Sequence, residues 1–262
     1  MFCKICNHLS DYIFTAKILY KYNVHYYYCN NCGFMQTEEP YWLEEAYKEP
    51  INITDTGYIQ RNIQLSQKLT IILNIFFDKN GKFLDYAGGY GMFTRLMRDI
   101  GFDFYWDDKY TKNLFARGFE HTSGITYEAI TTFESFEHFV NPIKELENLL
   151  NLSNNIIFST ELLPYPIPKP EEWWYYGLNH GQHIAIYSEK TLQFLAKKYK
   201  LNYAHHNYLH IYSIKSITNQ NLNILNQSND QIFEQFKKQL KSKTWNDFLK
   251  LLEESKAMNL NK

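Results

Sequence analysis

The amino-acid sequence predicts an α/β fold with a small cysteine-rich module ahead of it and a helical appendage behind it. Three observations predict this. An apolar run, Phe83-Leu84-Asp85, ends in an acid and turns through Tyr86-Ala87-Gly88-Gly89-Tyr90-Gly91 into a stretch where Phe93, Leu96, Met97 and Ile100 share one helical face. All four cysteines stand in two Cys-x-x-Cys pairs, Cys3/Cys6 and Cys29/Cys32. Beyond residue 216 the chain becomes rich in Asn, Gln and Ser, then returns to helical periodicity.

Taken in order, the cysteines come first. Two knuckles of this spacing bring four thiolates into a tetrahedron, the arrangement that structural zinc prefers, so residues 1–50 read as a zinc ribbon. A closed four-thiolate site leaves no open coordination position, and its task is to fold a segment too small to hold itself. Neither pair follows a strand in a βαβ setting, which argues against a redox role. No signal peptide precedes them, which argues against disulfides and for a reducing, cytoplasmic setting.

Residues 55–77 read as a long amphipathic helix with Asp55 or Thr56 as N-cap. After it come the strand, the glycine turn and the helix from Met92. Glycines in such a turn permit positive φ and let a ligand lie on bare backbone, while the following helix N-terminus offers unpaired N–H groups. The next apolar run, 102–106, closes on Asp107-Asp108, about twenty residues past the glycines, where open α/β folds place the acid that holds a ribose diol. Asp108 alternates with Phe102, Phe104 and Trp106 and is chosen over Asp107. Strand, loop, helix, strand and acid make a nucleoside-binding unit.

Pro142 starts a further helix, since proline is tolerated in a first turn, and 155–160 reads as the next strand with Glu161 at its end, an acid/base candidate. Prolines 164, 166, 168 and 170 hold the following loop extended. That loop leads into Glu172-Trp173-Trp174-Tyr175-Tyr176, which reads either as exposed rings for a sugar or nucleobase or as a hydrophobic lid. Then comes His180-Gly181-Gln182-His183, whose imidazoles titrate near neutral pH and suit a general base. His180 and His183 as zinc ligands lack a third ligand at suitable spacing. Residues 216–230 read as a linker, and two amphipathic helices follow, with Ile232, Phe233, Phe236 and Leu240 on one face and Trp245, Phe248, Leu249 and Leu252 on the next. These faces need a partner, either the chain's own sheet or ribbon or a second copy.

The loop, Asp-x-Ala-Gly-Gly-x-Gly, resembles motif I of class I S-adenosylmethionine (SAM) methyltransferases, an acid followed by Gly-x-Gly-x-Gly, with Ala87 in the place of the first glycine. Residues 129–138, ending Glu134-Ser-Phe-Glu-His138, are similar to that family's fourth strand and the acidic segment that lines its cofactor pocket. The resemblance covers about residues 55–215. It implies a Rossmann-like seven-stranded sheet closed by an antiparallel hairpin over 201–215. It also implies a cofactor site of Asp85, Ala87, Gly89, Gly91, Asp108 and Glu134, with Tyr58 and Arg61 facing the methionine portion. The stretch 180–188 resembles the Tyr-His-Glu-His-x-x-x-Phe-Ser segment of bacterial sugar C-methyltransferases, which also join a zinc module to a SAM domain. His183 falls on their histidine, and Gln182 replaces their glutamate. His183 is thus the preferred base, with His180 and Glu161 behind it.

Three segments follow: a ribbon over 1–50, a SAM domain over 51–215, and a linker with helices over 216–262. Lys and Arg number 27 against 28 Asp and Glu, so no positive excess supports phosphate-backbone binding, and a small substrate is expected. No apolar run approaches the roughly 20 residues of a membrane span. The expected function is SAM-dependent methylation of a small polar metabolite, a nucleotide-linked sugar or another surface-polysaccharide precursor. The alternatives are a zinc-ribbon recognition protein without turnover, against which stand the nearly intact loop and the absence of a concentrated basic run, and an RNA or protein methyltransferase, against which stand the neutral charge and the absence of an Asn/Asp-Pro-Pro-Tyr/Phe motif.

Overall fold

The computed structural model describes residues 1–48, 51–227 and 229–260. In chain order the elements are β1 (Asp11–Ile18), β2 (Tyr22–Tyr28), β3 (Met35–Thr37), α1 (Leu43–Ala46), α2 (Tyr58–Phe76), β4 (Lys82–Tyr86), α3 (Met92–Ile100), β5 (Asp103–Asp107), β6 (Ala129–Thr132), α4 (Pro142–Leu152), β7 (Ile156–Ser159), β8 (Ala185–Ile186), α5 (Glu189–Lys198), β9 (Asn202–His206), β10 (Leu209–Ser213), α6 (Asn219–Leu222), α7 (Asn229–Lys237) and α8 (Thr244–Leu260). The chain divides into two compact units, residues 1–55 with 132–222, and residues 56–131 with 223–262.

In the first unit β1, β2 and β3 form an antiparallel ribbon that β8 extends through Met35↔Ile186 and Gln36↔Ala185. The ribbon therefore does not stand alone. Trp42 Nε1 donates to the Gly181 carbonyl at 2.7 Å and Gln182 Nε2 to the Ala46 carbonyl at 2.8 Å, so the segment before β8 is tied to the end of the ribbon. Tyr26, Phe34, Trp42, Tyr175, Tyr176 and Tyr187 fill the core here. In the same unit β10 pairs antiparallel with both β7 and β9, the hairpin expected over 201–215. Helix α5 opens on Ser188, whose hydroxyl accepts the Thr191 N–H and gives the helix a firm start.

In the second unit β4 lies between β5 and β6, all parallel, with Phe83 and Phe104 stacked at 5.2 Å beneath α3. The sheet architecture is mixed: this unit has the three parallel strands β5, β4 and β6, and the first unit has β7, β10 and β9, so among the described residues six strands stand where seven were expected. Beside β5 the chain makes only an isolated parallel bridge, Trp106 to Glu120, where a further strand would pair. Helix α2 starts at Tyr58 after Gly57, later than the Asp55 or Thr56 cap expected, because Asp55 N–H closes a turn onto the Asn52 carbonyl at 2.9 Å.

The C-terminal segments depart most from expectation. Ile217, Leu222 and Leu225 are buried, so the expected linker folds into short helical turns. Helix α7 packs its Phe233 side against α2. In α8 the expected inner stripe of Trp245, Phe248, Leu249 and Leu252 faces solvent. A charge holds this helix instead: Asp247 takes a bidentate pair of hydrogen bonds from Arg98 Nε and Nη2 at 2.8 and 2.7 Å, while Arg98 Nη1 donates to Asp103 and the Phe104 carbonyl, both at 2.8 Å. Arg98 sits on the buried side of α3, where helical periodicity alone suggests an apolar residue. No helix among the described residues is long and apolar enough to cross a membrane.

Candidate functional site

The glycine loop of the second unit is rigidly held by the chain itself. Asp85, at the end of β4, is fully buried and accepts hydroxyl hydrogen bonds from Thr94 at 3.0 Å and Thr131 at 3.1 Å. Burial raises its carboxyl to about 7 despite those donors. Ala87, where the family motif has its first glycine, adopts the same left-handed backbone at φ +56. A side chain on Gly88 would lie 2.6 Å from Asp85 Oδ2, and one on Gly91, at φ +83, would lie 2.6 Å from Asn113 Oδ1. Packing alone thus requires glycine at both. Gly89, at φ +54, is required by its backbone rather than by crowding, because a Cβ there meets only the Tyr58 hydroxyl, at 3.3 Å. This is the cradle that a side chain would fill, and its backbone is open to a flat ligand. Gly91 caps α3 without a side-chain acceptor, leaving the positive end of the helix to a ligand.

Asp108 lies beside this loop but has a structural task as well. Its Oδ2 accepts the Gly89 N–H at 2.9 Å and its Oδ1 accepts the N–H groups of Tyr110 and Thr111 at 2.7 and 2.8 Å. A carboxylate takes about four such bonds, so one acceptor position remains for a ribose hydroxyl. The Gly89 carbonyl is fixed from its own side by Trp106 Nε1 at 2.8 Å and the Thr111 hydroxyl at 2.6 Å. Asp107 points to the other face of β5, and burial raises its carboxyl. Tyr58 stands over Gly89, while Arg61 lies one helical turn further on, its guanidinium 3.9 Å from a Cβ built on Gly57.

The first unit gathers the acid/base candidates. His183 Nδ1 lies 2.6 Å from the Tyr175 carbonyl, so that nitrogen carries the proton and Nε2 keeps its lone pair in the neutral ring. Burial, with the charges of His138 and His180, holds His183 well below the usual imidazole range. His180 packs edge-on against it at 4.7 Å, accepts the Gln182 N–H at its own Nδ1, and is lowered by burial. Glu161 follows β7, and burial first, then the charge of Glu134, raises its carboxyl. Glu134 exchanges two bonds with Ser159: its N–H donates to the Ser159 oxygen at 2.8 Å, and that hydroxyl donates back to its carboxylate at 2.6 Å. Of the aromatic cluster, Tyr175 and Tyr176 are core residues, because Tyr176 packs edge-on against Phe14 and Tyr26. Only Trp174, 75% exposed, fits the expected open platform.

At the start of the first unit, Cys3 and Cys32 stand 3.5 Å apart and Cys6 and Cys29 3.4 Å apart, with all four sulfurs within 4.8 Å of one another. Sulfurs around a tetrahedral zinc lie about 3.8 Å apart, so the donor set fits. Asn7 and Gly33, each following the second cysteine of its pair, take the left-handed conformation that turns the knuckle. The Cys32 thiol lowers Cys3 to about 5, and its own pKa rises in return.

A family model described as a methyltransferase domain matches residues 59–206, more than half of the chain. The chain belongs to the methyltransferase domain family. It is a SAM-dependent methyltransferase, and the glycine loop and the acid after β5 lie within the matched region. No curated protein has a matching sequence. Among solved structures, the plantazolicin methyltransferase BpumL in complex with SAH is 17% identical over 75% of this chain and 90% of that one, with a TM-score of 0.46. CalO1, a methyltransferase in calicheamicin biosynthesis in its SAH-bound form, is 13% identical over 64% of this chain and 59% of that one, with a TM-score of 0.42. OxaC in complex with SAH and oxaline is 14% identical over 58% and 46%, with a TM-score of 0.42.

In this methyltransferase the structure adds residues that sequence reading missed. Glu137 and His138 face His183, and Tyr47 donates to or accepts from His138 Nδ1 at 2.8 Å. The Glu-His pair at the end of the acidic segment was a visible signal. Its meeting with a histidine 45 residues later was not.

Proposed function

We propose that this methyltransferase moves the methyl group of SAM to a small polar metabolite, a nucleotide-linked sugar or another surface-polysaccharide precursor, and that its four cysteines hold a structural zinc ion. The observation that carries the donor assignment is the loop at Gly89: its left-handed backbone at φ +54 calls for glycine, the space beside it is lined by little more than the Tyr58 hydroxyl, and Asp108 next to it has one acceptor position left. SAM, when bound, supplies an electrophilic methyl on sulfur. Asp85, Ala87, Gly89 and Gly91 shape the loop that receives it, Asp108 provides a carboxylate for its hydroxyl groups, and Tyr58 and Arg61 face its methionine part. The acceptor class rests on the likeness of residues 180–188 to sugar C-methyltransferases and on the exposed ring of Trp174.

Methyl transfer from sulfonium is an in-line displacement, so the protein aligns the acceptor and removes its proton. For that proton we assign Glu161 ahead of His183 and His180. Glu161 is half-buried at the end of β7 with its carboxyl raised by burial, which makes it a stronger base than a free carboxylate, whereas His183 is buried, bonded at Nδ1 and a weak base. Glu161→Gln lowers kcat by about two orders of magnitude and leaves SAM affinity, measured by calorimetry, where it was. Unchanged turnover on an accepted nucleotide sugar removes Glu161 from the mechanism, and absence of heat on titration with SAM removes the donor assignment.

A further inference from the structure

The geometry points to a second metal site, for a divalent first-row transition ion, formed by Glu137, His138 and His183. One ligand atom from each lies within 4.8 Å of the others. The three come from distant stretches, Glu137 and His138 from a short helical turn after β6 and His183 from the segment before β8. The two imidazoles differ in how they are set. His183 donates Nδ1–H to the Tyr175 carbonyl at 2.6 Å and keeps Nε2 for an ion, whereas His138 Nδ1 lies 2.8 Å from the Tyr47 hydroxyl and its ring also meets the Gln182 backbone, so its Nε2 is open to an ion only in the tautomer in which Nδ1 donates to Tyr47. A partner on the far nitrogen is what fixes the tautomer and orientation of metal-bound histidines. His138 Nε2 is 4.0 Å from Glu137 Oε1.

Glu137 is the second, independent observation. It is wholly buried, and no hydrogen-bond partner stands in good geometry at either carboxylate oxygen, although the hydroxyls of Thr160 and Tyr175 stand near it. Thr160 and Tyr175 have their hydroxyls bonded to each other at 3.0 Å. A buried carboxylate without a donor or a cation is costly, and such groups are paired or coordinate metals. Ligand atoms around a tetrahedral ion stand about 3.4 Å apart, so closing the cluster takes a movement of about 1 Å. Two imidazoles and one carboxylate select a transition ion over magnesium or calcium. Three protein ligands leave a position open, as in catalytic sites and unlike the cysteine site, and that position takes an oxygen donor such as water or an acceptor hydroxyl. His180 is not part of this set; Glu137 and His138, from elsewhere in the chain, join His183 instead.

The inference rests on these side chains and not on the donor assignment. Its test is cobalt(II) titration of the full chain carrying its native zinc, followed by absorption and by elemental analysis. Wild type takes up one equivalent beyond the cysteine site, with ligand-field bands but no thiolate-to-cobalt charge transfer, and its Tm rises. Glu137→Gln and His183→Ala lose that equivalent and the rise in Tm. If His183→Ala fails to fold by circular dichroism, Glu137→Gln, near-isosteric and relieved of a buried acid, decides alone. No uptake by folded wild type, or equal uptake by wild type and Glu137→Gln, overturns the site and assigns the cluster to water at most. SAM titration of the same sample reports separately on the glycine loop.

Discussion

Replacing Asp85 by Asn removes the one acid at the root of the glycine loop while keeping its shape. The amide oxygen still accepts from one threonine hydroxyl, and the other threonine can turn its hydroxyl to accept from the amide. Burial raises the Asp85 carboxyl from 3.8 to about 7. Its sign follows from proton counting. Below about pH 4 both folded and unfolded chains hold the proton; between about 4 and 7 the unfolded chain has released it and the folded chain has not; above that both are ionised. Stability of the wild type therefore falls as pH rises through this window, by about 1.4 kcal/mol per pH unit and about 4 kcal/mol in all. Asp85→Asn lacks this slope. Urea unfolding of both proteins at a series of pH values from about 5 to 8 should show the variant gaining about 3 kcal/mol on the wild type across the series. Parallel stability curves would refute the reasoning, since they would mean that Asp85 is ionised throughout and that its two threonine donors outweigh its burial.

Other perturbations follow from the same structure. Asp247→Ala leaves Arg98 Nε and Nη2 buried without acceptors, with Asp103 as the remaining counter-charge, and should destabilise the protein by about 2–3 kcal/mol in urea unfolding; a loss under about 1 kcal/mol would show the pair to be solvated. Gly91→Ala places a Cβ at φ +83 against Asn113 and should weaken SAM binding by about tenfold in calorimetry, from roughly 1–2 kcal/mol of backbone strain. Unchanged affinity would mean that the loop does not bear on the cofactor. Chelation of zinc should make all four thiols reactive toward a thiol reagent and lower the Tm, as Cys32→Ser does without chelator; thiols that react at once in untreated protein would exclude a bound ion.

Much of the cofactor half is legible in the chain because its causes are local. Strand β4, the glycine turn and α3 follow from period, small residues and a helix start that neighbours in sequence dictate, and α3 occupies the predicted residues. The cysteine cluster is legible for the same reason, since each knuckle is four residues long. The acid/base half is less so. Tyr175 and Tyr176 look like a surface platform in a proline-rich loop, yet ring contacts with Phe14 and Tyr26, far away in sequence, bury Tyr176. His183 looks like a base poised in a loop, but burial makes it a weakly basic ring, and the Tyr175 carbonyl holds that ring in place. In α8 the apolar stripe faces solvent, and the side of the helix that carries Asp247 meets Arg98 instead, a pairing across 149 residues that periodicity does not reveal.

From sequence alone come the α/β class, the glycine loop, the acid after β5 and the four-thiolate set, all carried by residues that stand within a few turns of one another. Only tertiary structure decided that Asp108 spends three of its acceptor positions on backbone, that β8 completes the ribbon, and that Glu137, His138 and His183 share one buried space. The physical reason is range: backbone propensity and turn chemistry act over a few residues, whereas burial, pairing and desolvation depend on which distant side chains the fold brings into contact.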